Sequence, residues 1–176
     1  MIFGNPLTFA AEVVVEPGPE FPATFGSNVA GRMRLIIGGT NVGNIDEPRC
    51  VPRALSEHLV ELSASAPALW HPLLEDVAPH EQLKLLDDAL FLGGGRPELE
   101  NCHSLIFLTN VSEAFDPIKG FALCHSPSEI YLLLKLEVSG PVLHFVVPYE
   151  EFAGVAAALA QWVSEQERML LNGPAV

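Results

Sequence analysis

The chain reads as an α+β protein: a mostly antiparallel sheet with a helical middle segment and a C-terminal helix packed on it. Three observations predict this. Apolar residues alternate with polar ones toward both ends, the two-residue period of half-buried strands. Between residues 52 and 92, and again after 148, the apolar spacing changes to three and four residues. Gly and Pro clusters mark the places where the period changes.

The first element is "LTFAAEVVVE", where Leu7, Phe9, Ala11, Val13 and Val15 alternate with Thr8, Glu12 and Glu16. It reads as a half-buried strand and as the first strand of the fold. In "RMRLIIGG", Met33, Leu35 and Ile37 alternate with Arg32 and Arg34. An antiparallel pairing of these two strands sets Glu12 and Glu16 across the ladder from the arginines. Gly38-Gly39 then supplies the positive-φ residues of a tight hairpin turn into "TNVGNID".

The helical middle begins after Pro52, where Leu55, Leu59 and Leu62 form one stripe and Ser56, Glu57 and Glu61 lie off it. Leu83, Leu86 and Leu90 repeat the spacing in "PHEQLKLLDDALFL", with Asp87 and Asp88 off the stripe. Two or three helices fit here, broken around Pro67, Pro72 and Pro79. Gly93-Gly94-Gly95 ends the last of them, because a left-handed cap needs a residue without Cβ.

Strands return in "SLIFLT", "GFALC" and "EIYLLLKLEV", the last with Ile130, Leu132, Leu134, Leu136 and Val138 on one face. A turn at Ser139-Gly140-Pro141 leads into "VLHFVV". The closing "PYEEFAGVAAALAQWVSEQERML" is helical, with Pro148 at its start, Glu150 and Glu151 near the positive end of its dipole, and Phe152, Val155, Leu159 and Val163 as its buried stripe.

With 176 residues, 49% of them apolar, the chain buries one sizeable core, so residues 1–176 are expected to form one domain. No apolar run reaches the roughly 20 residues of a membrane span, and Glu12 and Glu16 interrupt the N-terminal apolar stretch, which lacks the form of a signal peptide. Three cysteines, none in a C-x-x-C pair, suit a reducing compartment, and a cytoplasmic location is expected. Charge is the most unusual property, with 9 basic against 22 acidic residues and a net charge of −13. From Glu57 to Asp116 there are eleven acidic residues and only Lys84 and Arg96 as bases. Such a field repels nucleic acid and anionic membranes and attracts basic partners.

The tripeptide CHS occurs twice, as Cys102-His103-Ser104 and Cys124-His125-Ser126. If "HSLIFLT" and "GFALC" form a hairpin, a symmetric register sets Cys102 opposite Cys124. Both histidines then point to the opposite face, which makes a tetrahedral metal site awkward. Other motifs fail at their last position. His80-Glu81 opens like a metalloprotease helix, but Lys84 stands where the second imidazole belongs, and "GGGRPE" lacks the Lys-Ser/Thr ending of a phosphate-binding loop. The adjacent pairs Asp87-Asp88 and Glu150-Glu151 read as solvated helix faces. No catalytic residue, cofactor or metal is expected.

The opening "MIFGNPLTFAAEVVVE", followed by "GRMRLIIGGTNVGNIDEP" and, near the end, "VLHFVVPYEEF", resembles the immunity protein 42 family, predicted antitoxins of bacterial polymorphic toxin systems. The resemblance is most specific over residues 1–50, and the proline-rich insertion in "AAEVVVEPGPEFPATFG" departs from it. It implies an α+β protein without catalytic residues, whose partner is a cognate toxin domain encoded next to it. The acidic middle then fits a basic toxin surface. Glu57, Glu61, Glu81, Asp87 and Asp88 are the expected charged contacts, and Trp70, between prolines in "APALWHPLLED", is the candidate anchor, with core packing as its ordinary alternative. The identity of the toxin and the oligomeric state are not legible. Two other classes remain: an acidic secretion chaperone that holds an extended effector segment as a dimer, and a small Cys/His enzyme with a thiolate of lowered pKa.

Overall fold

A computed structural model describes residues 1–15, 24–25, 28–48, 50–116 and 118–172. Glu16 and the proline-rich stretch after it lie outside the described residues, so the expected pairing of Glu16 has no counterpart here.

The N-terminal half holds an antiparallel four-stranded sheet in the order β1-β2-β5-β6, built from β1 (Ile2–Asn5), β2 (Phe9–Val14), β5 (Arg32–Ile37) and β6 (Thr40–Val42). Between β2 and β5, a two-stranded ladder pairs β3 (Thr24–Phe25) with β4 (Asn28–Val29). The strand expected from Leu7 therefore begins only at Phe9 and is preceded by a further strand, β1: residues 6–8 turn β1 back on β2, and Leu7 sits in that turn, 79% exposed. Thr8 N–H closes the turn onto the Asn5 carbonyl at 3.0 Å.

The pairing expected from charge is present, with Glu12 directly across from Arg34 and Arg34 Nε 2.6 Å from Glu12 Oε2. Phe9, Ala11 and Val13 on β2 meet Met33, Leu35 and Ile37 on β5, all buried. Gly38 and Gly39 have φ of 56° and 76°, the two successive positive values of the expected hairpin turn.

Helix α1 (Pro52–Ser65) buries Leu55, Leu59 and Leu62 as its spacing predicts. It also buries Ser56, expected off the stripe; the hydroxyl escapes the usual cost by donating to the Arg53 carbonyl at 2.9 Å. Two 3-10 turns, Ala66–Ala68 and Pro72–Leu74, lead to α2 (Pro79–Asp87). Each starts with a proline in its first turn, where a missing N–H costs nothing. One π turn, Asp88–Leu92, extends α2, and Gly93 at φ 66° caps it in the left-handed conformation expected of that glycine.

The second sheet is antiparallel in the order β7-β8-β9, with β7 (Lys119–Ser126), β8 (Glu129–Lys135) and β9 (Val142–Pro148). "SLIFLT" is not one of its strands. Residues 103–105 form a 3-10 turn, and only Ile106 bridges to Phe121. The segment nevertheless buries Phe107, Leu108 and Thr109, and its Phe107 N–H bonds the Gly120 carbonyl at 2.8 Å. Apolar content there serves core filling, not a ladder. β8 also stops at Lys135, so Val138 stands in the following turn, 77% exposed, instead of on a strand face.

Helix α3 (Tyr149–Asn172) closes the fold. Phe152, Val155, Leu159 and Val163 are buried as expected, joined by Ala156 and Trp162. The helix packs against α1, β1 and β2 and also touches β8 and β9, so it lies between the sheets' apolar surfaces. Phe9, Phe107 and Phe152 meet there, with ring centroids 4.9 to 6.5 Å apart. Buried side chains from both sheets and all three helices form one contiguous cluster.

Candidate binding surface

The acidic middle of the chain is spread over two supports. α1 packs chiefly on α3, whereas α2 packs on the sheet β7-β8-β9. Glu57 and Glu61 are exposed one turn apart on α1, and Glu81 is exposed in the first turn of α2, where a carboxylate favours the helix dipole. None of the eleven acids between Glu57 and Asp116 is buried. The exposed ones stay hydrated and act through the field around the protein.

Not all of these charges are equally free. Arg53 lies 2.9 Å from Glu57, one turn back on α1, and bonds buried Glu167 of α3 through both Nε and Nη2. Glu167, then Glu57, hold the guanidinium charged far above its ordinary range. Asp87 is half-buried and 2.9 Å from Lys119 Nζ, and the same ammonium sits 4.2 Å above the Phe91 ring. Glu151 accepts the Thr8 hydroxyl. The expectation that Asp87 and Glu151 lie on simple solvated faces is corrected by these contacts, which tie α2 to β7 and α3 to the β1–β2 turn. Asp88, at the start of the π turn, is half-buried, and its carbonyl accepts the Gly94 N–H at 3.3 Å.

Trp70 is half-buried, and its ring lies against the His125 imidazole, centroids 4.5 Å apart and tilted by 56°. The pair forms one wall of a cavity of about 260 Å³. Tyr131 and His144, stacked 5.6 Å apart at 10°, line it from the sheet, and Glu75 and Asp76 line it from the loop before α2. The Tyr131 hydroxyl donates to Glu129 at 3.1 Å, and that bond raises its pKa above the ordinary phenol range. Gln82 donates to the Leu74 carbonyl at 2.7 Å and fixes α2 to the loop. Asp76 holds φ 58°, a conformation that aspartate tolerates better than most residues.

Sequence reasoning placed Trp70 in this region but missed Tyr131 and His144. Both occupy polar positions on strands, and nothing local shows that strand order brings them beside residue 70. His125 was visible only as part of the repeated tripeptide.

That tripeptide divides between two environments. Cys124 points inward, its Sγ donating to the Ser126 carbonyl at 3.1 Å, while His125 points outward to Trp70. Cys102 and His103 lie at a 3-10 turn, so the expected register of Cys102 against Cys124 does not form. Among the described residues no group of His, Cys, Asp or Glu is arranged to hold a metal ion. Burial pushes the thiols of Cys50, Cys102 and Cys124 upward, opposite to the shift that makes a thiolate nucleophile. No helix among the described residues is long and apolar enough to cross a membrane.

No protein-family model matches the chain, and no curated protein matches it in sequence. Among solved structures, the crystal structure of CdiI from Burkholderia dolosa AUO158 is similar, with a TM-score of 0.67 at 15% identity. The superposition covers 92% of this chain and 99% of that one, so the likeness is of the whole architecture and not of one shared motif.

Proposed function

We propose that this protein is an immunity protein: it binds a cognate secreted toxin domain, encoded beside it, and neutralises it in the cytoplasm without chemistry of its own. The observation that carries this reading is the end-to-end agreement of its fold with CdiI, an immunity protein of contact-dependent inhibition. The N-terminal resemblance to the immunity protein 42 family points the same way. The raised thiols support a role without nucleophilic catalysis.

The acidic surface gives the reading its mechanism. A net charge of −13, with exposed Glu57, Glu61 and Glu81 and the half-buried Asp87 and Asp88, steers a basic toxin domain into encounter. Residence then depends on a few desolvated contacts, for which Trp70 is the proposed anchor. Calorimetry with the toxin domain encoded next to this chain tests the reading. The expected result is a 1:1 complex of nanomolar affinity, about −12 kcal/mol. Charge reversal at Glu57, Glu61 and Glu81 together is expected to slow association at least about tenfold. Absence of a complex with that domain would overturn the proposal.

A further inference from the structure

The cavity beside Trp70 has a composition that specifies its occupant more narrowly than the surrounding acidic field does. Its lining includes two aromatic pairs, Trp70 against His125 and Tyr131 stacked on His144. Its loop side carries two exposed carboxylates, Glu75 and Asp76, with no basic residue among the lining side chains apart from the two imidazoles. At about 260 Å³ it is smaller than the roughly 300–1,000 Å³ of pockets that enclose drug-sized ligands. It is therefore sized for one side chain. Part of the lining is held in place: the Tyr131 hydroxyl donates to Glu129, and Gln82 pins α2 to the Leu74 carbonyl.

We infer that this cavity is an arginine-binding pocket, which receives one arginine side chain of the partner protein against the aromatic rings that line it and beside the Glu75 and Asp76 carboxylates. A guanidinium is planar, stacks on aromatic faces and forms forked hydrogen bonds with carboxylates. An ammonium satisfies the charge but neither stacks nor forks as well. An acidic side chain or a phosphate is repelled by Glu75 and Asp76. That the arginine belongs to a toxin domain rests on the immunity reading; the pocket's preference for a guanidinium does not.

Two measurements test this. In the first, the side-chain NMR signals of the full chain are followed during titration with N-acetyl-arginine amide, N-acetyl-lysine amide and N-acetyl-glutamate amide. The arginine compound is expected to shift the Trp70 indole signal and leave that of buried Trp162 unchanged, with a weaker response to lysine and none to glutamate. The Glu75→Gln, Asp76→Asn variant is expected to lose the response; both changes preserve shape, and asparagine accepts the positive φ at position 76. No shift at Trp70, or an equal shift with the glutamate compound, would overturn the pocket. In the second, the same variant is expected to bind the neighbouring toxin domain roughly 10- to 100-fold more weakly, the loss of charge-assisted hydrogen bonds. A control that removes two acids elsewhere in the stretch, Glu98→Gln with Glu100→Gln, is expected to change affinity less than about threefold. A complex indifferent to the pocket variant would sink the pocket and leave the immunity reading standing. Arginine uptake with no toxin complex would do the reverse.

Discussion

Arg53 shows how a residue can look like a surface charge and act as a structural one. It joins α1 to α3 by pairing with Glu167, whose side chain is 7% exposed. Arg53→Met leaves that carboxylate buried without its partner. The expected cost is about 1–3 kcal/mol in urea unfolding, below the roughly 3–5 kcal/mol of a fully buried pair because the Arg53 side chain is 40% exposed. Glu167→Gln in the same background is expected to recover much of it. Gly4 is constrained more tightly: it holds φ 92°, and a Cβ there would stand 2.4 Å from Val155 Cγ2 and 2.5 Å from the Phe9 carbonyl oxygen. Since the carbonyl belongs to the β1–β2 ladder, Gly4→Ala is expected to cost at least about 2 kcal/mol by thermal or urea unfolding. The three thiols predict a pH dependence. Their folded pKa values are raised by burial, so below the ordinary thiol range both states stay protonated and stability is independent of them. As pH rises through that range the unfolded chain deprotonates first, and their contribution is lost progressively up to the raised folded values. Replacing Cys50, Cys102 and Cys124 by alanine is expected to flatten this alkaline limb. At this scale the sequence revealed charges well and neighbours poorly. Glu12 and Arg34 were legible because one ladder relates them, whereas Arg53 and Glu167 are 114 positions apart.

Among the elements, those with a long regular period were legible and those without one were not. The stripes of α1 and α3 were readable because Leu55, Leu59 and Leu62 face the same direction as Phe152, Val155 and Leu159 do on their own helix. The two helices pack on each other, and truncating the fully buried Leu159 by Leu159→Ala is expected to destabilise the protein by about 2–5 kcal/mol, the usual range where neighbours relax only partly. "SLIFLT" has the composition of a strand but too few polar positions to fix a register, and it became a core-filling segment that meets β7 through the Ile106–Phe121 bridge and hydrogen bonds to Gly120. Leu7 and Val138 continue apolar patterns past the point where a turn takes over. The candidate site was half legible for the same reason: Trp70, Glu75 and Asp76 are close in sequence, but Tyr131 and His144 join them only through the order β7-β8-β9.

For the whole molecule, the net charge of −13 and the likeness of fold to CdiI are what the proposal that this chain protects by binding starts from. A charge-steered encounter has a salt signature. Association with the toxin domain is expected to slow about tenfold or more between roughly 50 mM and 500 mM salt, while dissociation changes little. The most direct measurement is growth of cells expressing the neighbouring toxin domain, with and without this chain, alongside the toxin's activity in their lysates. The account predicts arrest without the chain, and with it normal growth and loss of toxin activity in proportion to complex formed. Arrest that persists despite abundant, folded protein would contradict it.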